Sequence, residues 1–130
     1  MARPASRHPT DLELEILKVL WREGASPVRD VRDALAGFRD LAYTSVMTIM
    51  NIMTKKGYLK RRKQGGRYVY SPKVAERSVS RRMLRDLVNR VFDGSAAAAM
   101  LNLLETADVD EGELRQLREM IKRKIGEGSQ

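Results

Sequence analysis

Cysteine is absent from the 130-residue chain. Disulfides, thiolate metal sites and a cysteine nucleophile are therefore excluded, and the absence fits a cytoplasmic protein. Aromatic residues make up only 5% of the sequence, so a hydrophobic core must consist mainly of aliphatic side chains and methionine. No apolar run approaches the roughly 18 residues of a membrane span, and the N-terminus has no secretory signal. We expect no membrane insertion and a cytoplasmic location.

Residues suited to catalysis are also scarce. The single histidine, His8, lies in a polar stretch with two prolines, residues 1–9, which we interpret as a mobile tail. We find no paired carboxylates on a shared scaffold. The Gly65-Gly66 pair is not followed by a helix, as a phosphate-binding loop requires. The sequence therefore predicts no enzymatic activity, no metal site and no cofactor.

The positive charge is concentrated in the first part of the chain. The net charge is +8, and residues 1–73 hold 15 of the 25 Lys and Arg but only 7 of the 17 Asp and Glu. Residues 74–130 are balanced, with ten of each sign. Such asymmetry indicates a module that binds a polyanion, joined to a neutral module with another task.

Two short helices are predicted at the start of the first module. Thr10 and Glu13 have the spacing of a capping box, and the helix that they open should end at Gly24. Ser26 and Pro27 predict the second start, with the serine as N-cap and the proline in the first helical position. With a third helix close behind them, these elements match a helix-turn-helix.

The third helix, predicted at residues 43–56, has two different faces. Apolar side chains with helical spacing form its inner face: Val46, Ile49, Met50 and Met53. Small polar side chains form a second stripe, and Ser45 and Met47 lie beside it: Thr44, Thr48, Asn51 and Lys55. A polar stripe next to a cationic segment suits a groove of double-stranded DNA.

A basic β-hairpin is predicted after this helix, with strands at residues 58–63 and 67–71 and a glycine turn between them. Leu59 and Val69 should point inward, and Tyr68 and Tyr70 should lie on the other face or its edge, packed near the helix ends. A basic hairpin after a helix-turn-helix is a wing. We expect these cations to contact the DNA backbone: Lys55, Lys60, Arg62, Lys63 and Arg67.

The second module, residues 74–130, is predicted to be helical, with helices at 75–92, 96–105 and 111–125. A unit this short buries too little area to be stable alone, so its apolar stripes should pack against a second copy of the chain. A separate small core is the alternative. The predicted dimerisation residues are Met83, Leu84, Leu87, Val88, Val91, Leu114, Leu117 and Ile121.

Four segments resemble one known family in their order and spacing: DLELEILKVLW, LAYTSVMTIMNIMTKKGYL, GGRYVYSP and MLNLLE. The chain resembles the penicillinase repressor family, the BlaI/MecI/CopY group of bacterial transcriptional repressors. The resemblance implies a winged helix-turn-helix domain at residues 10–73, a helical dimerisation domain at 74–130, and a homodimer on an inverted-repeat operator. Its copper-responsive branch holds metal through cysteine pairs, which this chain lacks.

The family's functional residues fall on definite positions of this chain. The resemblance implies base reading by Thr44, Ser45, Met47 and Thr48, and wing contacts between Lys60 and Arg67. In the β-lactam-responsive members, a membrane sensor triggers proteolysis of the repressor. The matching peptide bond here is Asn102–Leu103, where leucine replaces the aromatic residue of the best-known members.

Two other functions for a winged helix remain open at this stage. A nonspecific architectural protein would coat DNA through charge, with no preferred palindrome. A regulator controlled by a small molecule would need a ligand pocket that sequence does not reveal. The favoured prediction is a dimeric, sequence-specific repressor, with antibiotic resistance as one circuit in which the family is used.

Overall fold

The computed structural model describes residues 8–128, which contain six helices and one two-stranded antiparallel hairpin. This confirms the predicted fold class, mainly α with a small hairpin. The chain divides into two compact units, Met1–Arg85 and Asp86–Gln130. Most of the predicted mobile tail, residues 1–7, lies outside the described residues, and Pro9 is buried. No helix within residues 8–128 is both long enough and apolar enough to cross a membrane.

Helix α1 (Asp11–Glu23) begins with the predicted capping box. The Glu13 amide donates to Thr10 Oγ1 at 3.2 Å, and the Thr10 amide donates to Glu13 Oε1 at 2.8 Å. These reciprocal bonds satisfy two amides that the first helical turn leaves without partners. The helix ends at Gly24, whose φ of 82° is readily adopted only by glycine.

The start of helix α2 (Val28–Leu35) corrects the predicted role of Ser26. The N-cap is Pro27, and no side chain caps the helix. Ser26 instead forms an antiparallel bridge with Tyr70, with both backbone hydrogen bonds at 2.9 Å, and its hydroxyl donates to the Gly24 carbonyl. The extended backbone that this pairing requires displaces the start of the helix by one residue.

Helix α3 (Tyr43–Lys56) closes the core of the first unit. Val46, Met50 and Met53 are fully buried, and Gly57 ends the helix in the left-handed conformation with φ of 88°. The core consists of aliphatic side chains and methionine apart from one tyrosine, as the low aromatic content requires. It comprises Ile16, Leu17, Val19, Leu20, Val28, Val31, Leu35, Val46, Met50, Met53, Leu59 and Tyr70.

Strands β1 (Leu59–Gln64) and β2 (Arg67–Pro72) form the predicted wing around the turn Gly65-Gly66, whose φ values are 62° and 81°. Two positive φ angles in succession are typical of a type I′ hairpin turn. Leu59 and Val69 are both buried, yet the register puts them on opposite faces, since Leu59 pairs with Pro72. The expectation that Leu59 and Val69 point to the same side was therefore wrong. Tyr70 lies opposite Val69, as predicted, but that face is the core face of Leu59.

Three helices follow the wing: α4 (Glu76–Val91), α5 (Ala96–Thr106) and α6 (Glu111–Gly128). The unit boundary falls within α4. Ser95 caps α5 by accepting the Ala98 amide at 3.0 Å. Asp110 caps α6 by accepting the Glu113 amide at 2.8 Å. All three helices lie close to their predicted positions, and capping residues define where α5 and α6 start.

Candidate nucleic-acid interface

Three of the four predicted base-reading residues lie on the exposed face of α3. Thr44, Ser45 and Thr48 are exposed, opposite the buried residues of the same helix. The Thr48 hydroxyl donates to the Thr44 carbonyl at 2.9 Å. Its proton is therefore used within the helix, and Thr48 offers the outside a methyl group and an acceptor oxygen.

Met47 occupies a different environment from the other three. It is half-buried and packs against the core of the first unit. Ile52, which the sequence analysis did not select, is 44% exposed, and its helical position lies near those of Ser45 and Thr48. An apolar side chain there suits a thymine methyl group. Because Ile52 is apolar, a stripe defined by polar side chains does not include it.

The N-terminus of α3 is open to an anion. Its N-cap residue is Ala42, no side chain caps the helix, and the first turn holds no acidic residue. Unpaired amides and the helix dipole favour a negative group at such an end. By contrast, α1 begins with a complete capping box and two acidic residues in its first turn.

The cations of the wing divide between its two faces. Register and alternation place Lys63 on the face of Leu59 and Tyr70, and Lys60, Arg62 and Arg67 on the opposite face. All four are exposed, and so is Lys55 on α3. Lys60 and Arg62 line an open depression with Ala25 and Val69. The four wing cations therefore lie on two faces instead of forming one ribbon.

Arg61 is the wing residue that the sequence analysis missed. Its Nη1 donates to Asn51 Oδ1 of α3 at 2.9 Å, and its guanidinium lies 4.3 Å from the centroid of the Tyr68 ring. The hydroxyl of buried Tyr70 donates to the same Asn51 oxygen at 2.6 Å. Arg61 pairs with Tyr70 across the hairpin, and this pairing would have indicated its contacts. The pairing follows from the strand register, which depends on the type of turn between the strands.

The C-terminal end of α3 is fixed to α1 by an ion pair. Lys56 Nζ lies 3.0 Å from Glu13 Oε2, and Glu13 is only 3% exposed. Burial raises the pKa of the neighbouring Tyr58 hydroxyl, and the negative charge of Glu13 adds to the increase. This ion pair holds α3 against the rest of the unit.

The predicted dimerisation residues are mostly exposed in the single chain. Met83 and Val88 are half-buried, and the others are 43–59% exposed: Leu84, Leu87, Val91, Leu114, Leu117 and Ile121. No residue of α6 is buried. Asn102 and Leu103 are exposed within α5, where the Thr106 hydroxyl donates to the Asn102 carbonyl at 2.8 Å.

Residues that could hold a metal ion do not gather anywhere in the described part of the chain. No group of three or more His, Cys, Asp or Glu side chains is close enough to do so. The surface that the structure does assemble, from α3 and the wing, is a polar and cationic one.

Comparison with known proteins identifies relatives over most of the chain. The penicillinase repressor of Bacillus licheniformis is 26% identical over 113 residues, covering 87% of this chain and 88% of that protein. Transcriptional regulator BlaI of Mycobacterium tuberculosis is 31% identical over 105 residues, covering 79% and 76%. Methicillin resistance regulatory protein MecI of Mammaliicoccus sciuri is 22% identical over 112 residues, covering 86% and 91%.

These relatives are named as repressors and regulators, not as enzymes, in agreement with the prediction of no enzymatic activity. The family model described as penicillinase repressor matches residues 9–123, from before the capping box of α1 to within α6. The match thus includes the helix-turn-helix, the wing and most of the second unit. The chain belongs to the penicillinase repressor family.

Proposed function

We propose that this protein is a homodimeric transcriptional repressor that binds an inverted-repeat operator in double-stranded DNA and blocks a promoter by occupying it. Membership of the penicillinase repressor family supports the repressor role. The observation that carries the DNA-binding mode is the exposed polar face of α3 beside the cations of the wing. A repressor of this kind acts in the bacterial cytoplasm.

Base reading is assigned to Thr44, Ser45 and Thr48, with Met47 in a supporting position at the edge of the core. Their short side chains suit contacts with thymine methyl groups and single hydrogen bonds better than the two-pronged contacts that arginine makes with guanine. The open N-terminus of α3 would receive a backbone phosphate. Lys55, Lys60, Arg62, Lys63 and Arg67 would supply affinity through further phosphates.

The exposed apolar residues of the second unit support the dimer. Leucines such as Leu114 and Leu117, which are 43% and 44% exposed, stabilise a protein only when an apolar partner covers them. A second copy of the chain supplies the same stripe through a two-fold axis. Two recognition helices spaced by roughly 34 Å, or a multiple of it, would then read the two halves of a palindrome.

Replacing the proposed base-reading residues Thr44 and Thr48 with alanine should reduce the discrimination between DNA sequences. The test is Thr44→Ala with Thr48→Ala, measured by gel shift on a duplex selected by the wild type from a random library and on a random duplex. Lost base contacts are each worth about 1–3 kcal/mol, so the ratio of the two affinities should fall at least about tenfold.

Thr106→Ala is the matched control, because Thr106 makes the same hydroxyl-to-carbonyl bond in α5, outside the proposed interface. It should leave the affinity ratio unchanged. An unchanged ratio in the Thr44→Ala, Thr48→Ala protein would contradict the base-reading assignment. A wild type without any preferred duplex would instead indicate a nonspecific architectural protein.

Wing contacts should show in the salt dependence of the same gel-shift series. Replacing Arg62 and Arg67 with glutamine should weaken binding to both duplexes, and each lost phosphate contact should flatten the logarithmic salt slope by about 0.9. Arg22→Gln, a neutralised cation on α1 that is exposed like them, should leave the slope unchanged. Equal slopes for all variants would exclude the wing from the interface.

Release by proteolysis is proposed at Asn102–Leu103. The bond lies inside α5, so a protease must first open the helix locally before it can bind the backbone in an extended form. Intact-mass measurement after incubation with the sensor protease would show a fragment that ends at Asn102. Fragments that end elsewhere would contradict this assignment.

A further inference from the structure

Side-chain hydrogen bonds join the wing to the proposed recognition helix, α3, and they are separate from the proposed phosphate contacts. Arg61 reaches from β1 to Asn51 on α3 at 2.9 Å, while Tyr70 donates to the same amide oxygen at 2.6 Å. Asn51 follows Thr48 by one helical turn and Thr44 by two, so the link ends on the row of proposed base-reading residues.

The contacts of Asn51 limit what it can do at a base. Its amide oxygen has two lone pairs, and the two donors from the wing occupy both. The oxygen is therefore committed to the wing, and only the amide NH₂ remains for other partners. Since Tyr70 is 1% exposed, one of these two bonds is anchored in the hydrophobic core.

Arg61 makes a second contact that fixes its orientation. The guanidinium lies over the ring of Tyr68 at 4.3 Å from its centroid, and the Lys63 ammonium lies 5.9 Å from the same centroid. A planar guanidinium can stack on a ring with its face while it donates a hydrogen bond from its edge. An ammonium group is compact and cannot do both in this geometry.

We infer that Arg61 is a positioning residue for operator selection: by linking Asn51 to Tyr68, it sets the angle of the wing against the base-reading row. This inference rests on the proposed function. With the link intact, the wing can meet phosphates only when the row lies in one register on the bases. Without it, the wing follows the DNA backbone freely, and unsuitable sequences are bound more readily.

The decisive variant is Arg61→Lys, which keeps the charge but not the planar group. We expect the affinity ratio between the selected and random duplexes to fall about tenfold, equivalent to about 1.4 kcal/mol, with an unchanged salt slope. Arg22→Lys is the matched control, since Arg22 is an exposed arginine on α1 that lies outside the proposed interface. It should retain both the ratio and the slope.

Asn51→Ala tests the other end of the link without altering any charge. The ratio should fall as it does for Arg61→Lys, and the double variant should lose no more than either single variant. Asn51→Ala also removes the partner of the buried Tyr70 hydroxyl. Tyr70→Phe, which removes that hydroxyl alone, is therefore measured as its control. Circular dichroism confirms that each protein is folded before binding is measured.

A measurement without DNA tests the link itself. Amide hydrogen exchange along β1 and β2 should be faster in Arg61→Lys than in the wild type or Arg22→Lys, because the hairpin is held less firmly. A wild type that prefers no duplex would overturn the proposed function, and with it the role in selection. A selective wild type matched by an equally selective Arg61→Lys would overturn this inference alone and make Arg61 an ordinary phosphate contact.

Discussion

At the scale of single residues, Glu13 is a buried charge with two partners. One carboxylate oxygen accepts the Thr10 amide and the other pairs with Lys56, whose side chain is 38% exposed. Glu13 lies in the first turn of α1 and Lys56 in the last turn of α3, so both helix dipoles favour the signs of these charges. One carboxylate therefore serves a helix cap and an interhelical contact at once.

Loss of Lys56 should leave this buried carboxylate without its cation. We expect Lys56→Met to lower the free energy of unfolding by about 1–3 kcal/mol, the cost of a buried polar group that loses its partner. Urea unfolding followed by circular dichroism measures the change. Lys55→Met, on the exposed face of the same helix, is the control and should have little effect.

Removing the carboxylate charge as well should restore part of the loss. In Glu13→Gln with Lys56→Met, the amide oxygen still accepts the Thr10 amide, and no buried charge is left unpaired. A double variant less stable than Lys56→Met would contradict this account of the pair.

The sequence predicted exposure where it depends on local spacing, and missed contacts that depend on strand pairing. Thr44, Ser45 and Thr48 were found to be exposed because helical periodicity alone defines a face. Arg61 was missed because its partners come from two other elements. Its contacts with Asn51 and Tyr68 follow from the hairpin register, which a difference of one residue would reverse.

At the scale of elements, caps made most helix positions predictable. The Thr10 capping box lies where the sequence placed it, and Ser95 and Asp110 cap α5 and α6 at the predicted helix starts. Ser26 failed as a cap because its backbone pairs with Tyr70, a residue 44 positions later in the chain. Local chemistry predicts a helix start unless a distant strand uses the same backbone groups.

The cap of α6 should make the start of that helix sensitive to acid. The backbone hydrogen bond from Glu113 holds the pKa of Asp110 below its ordinary value of 3.8. A lowered pKa means that the stabilisation is present above pH 3.8 and is lost as the pH falls through the pKa of the folded protein. In an NMR titration, the Glu113 amide should shift with a midpoint below 3.8.

The capped amide at the start of α5 is a control for this titration. The Ala98 amide is held by the hydroxyl of Ser95, which does not titrate in this range, so it should show no corresponding transition. Asp110→Asn should remove the transition from Glu113. A midpoint at or above 3.8 in the wild type would mean that the cap is not formed in solution.

At the scale of the whole molecule, the exposed leucines of α6 lead to a prediction about assembly. Sedimentation velocity should give twice the 14.8 kDa of one chain. Replacing Leu114 and Leu117 with lysine should raise the dimer dissociation constant at least about 100-fold. Each lost leucine contact costs about 1.5 kcal/mol or more, and about 2.7 kcal/mol corresponds to that factor.

Gln116→Lys with Glu119→Lys on the same helix is the control, since it adds positive charge at polar positions. It should leave the dimer intact. A wild type that sediments as a single chain at all concentrations would contradict the dimer and leave each winged helix to bind a half-site alone.

The bridge between Ser26 and Tyr70 has a consequence for how such regulators diverge. Its two hydrogen bonds join backbone atoms, so they persist through most side-chain changes at these positions. The Arg61 link depends on side chains and can be lost in one substitution. The backbone attachment of the wing is thus robust to side-chain mutation, and the Arg61 link is not. Under the role proposed for Arg61, a single change at position 61 would alter operator preference in a protein that still folds.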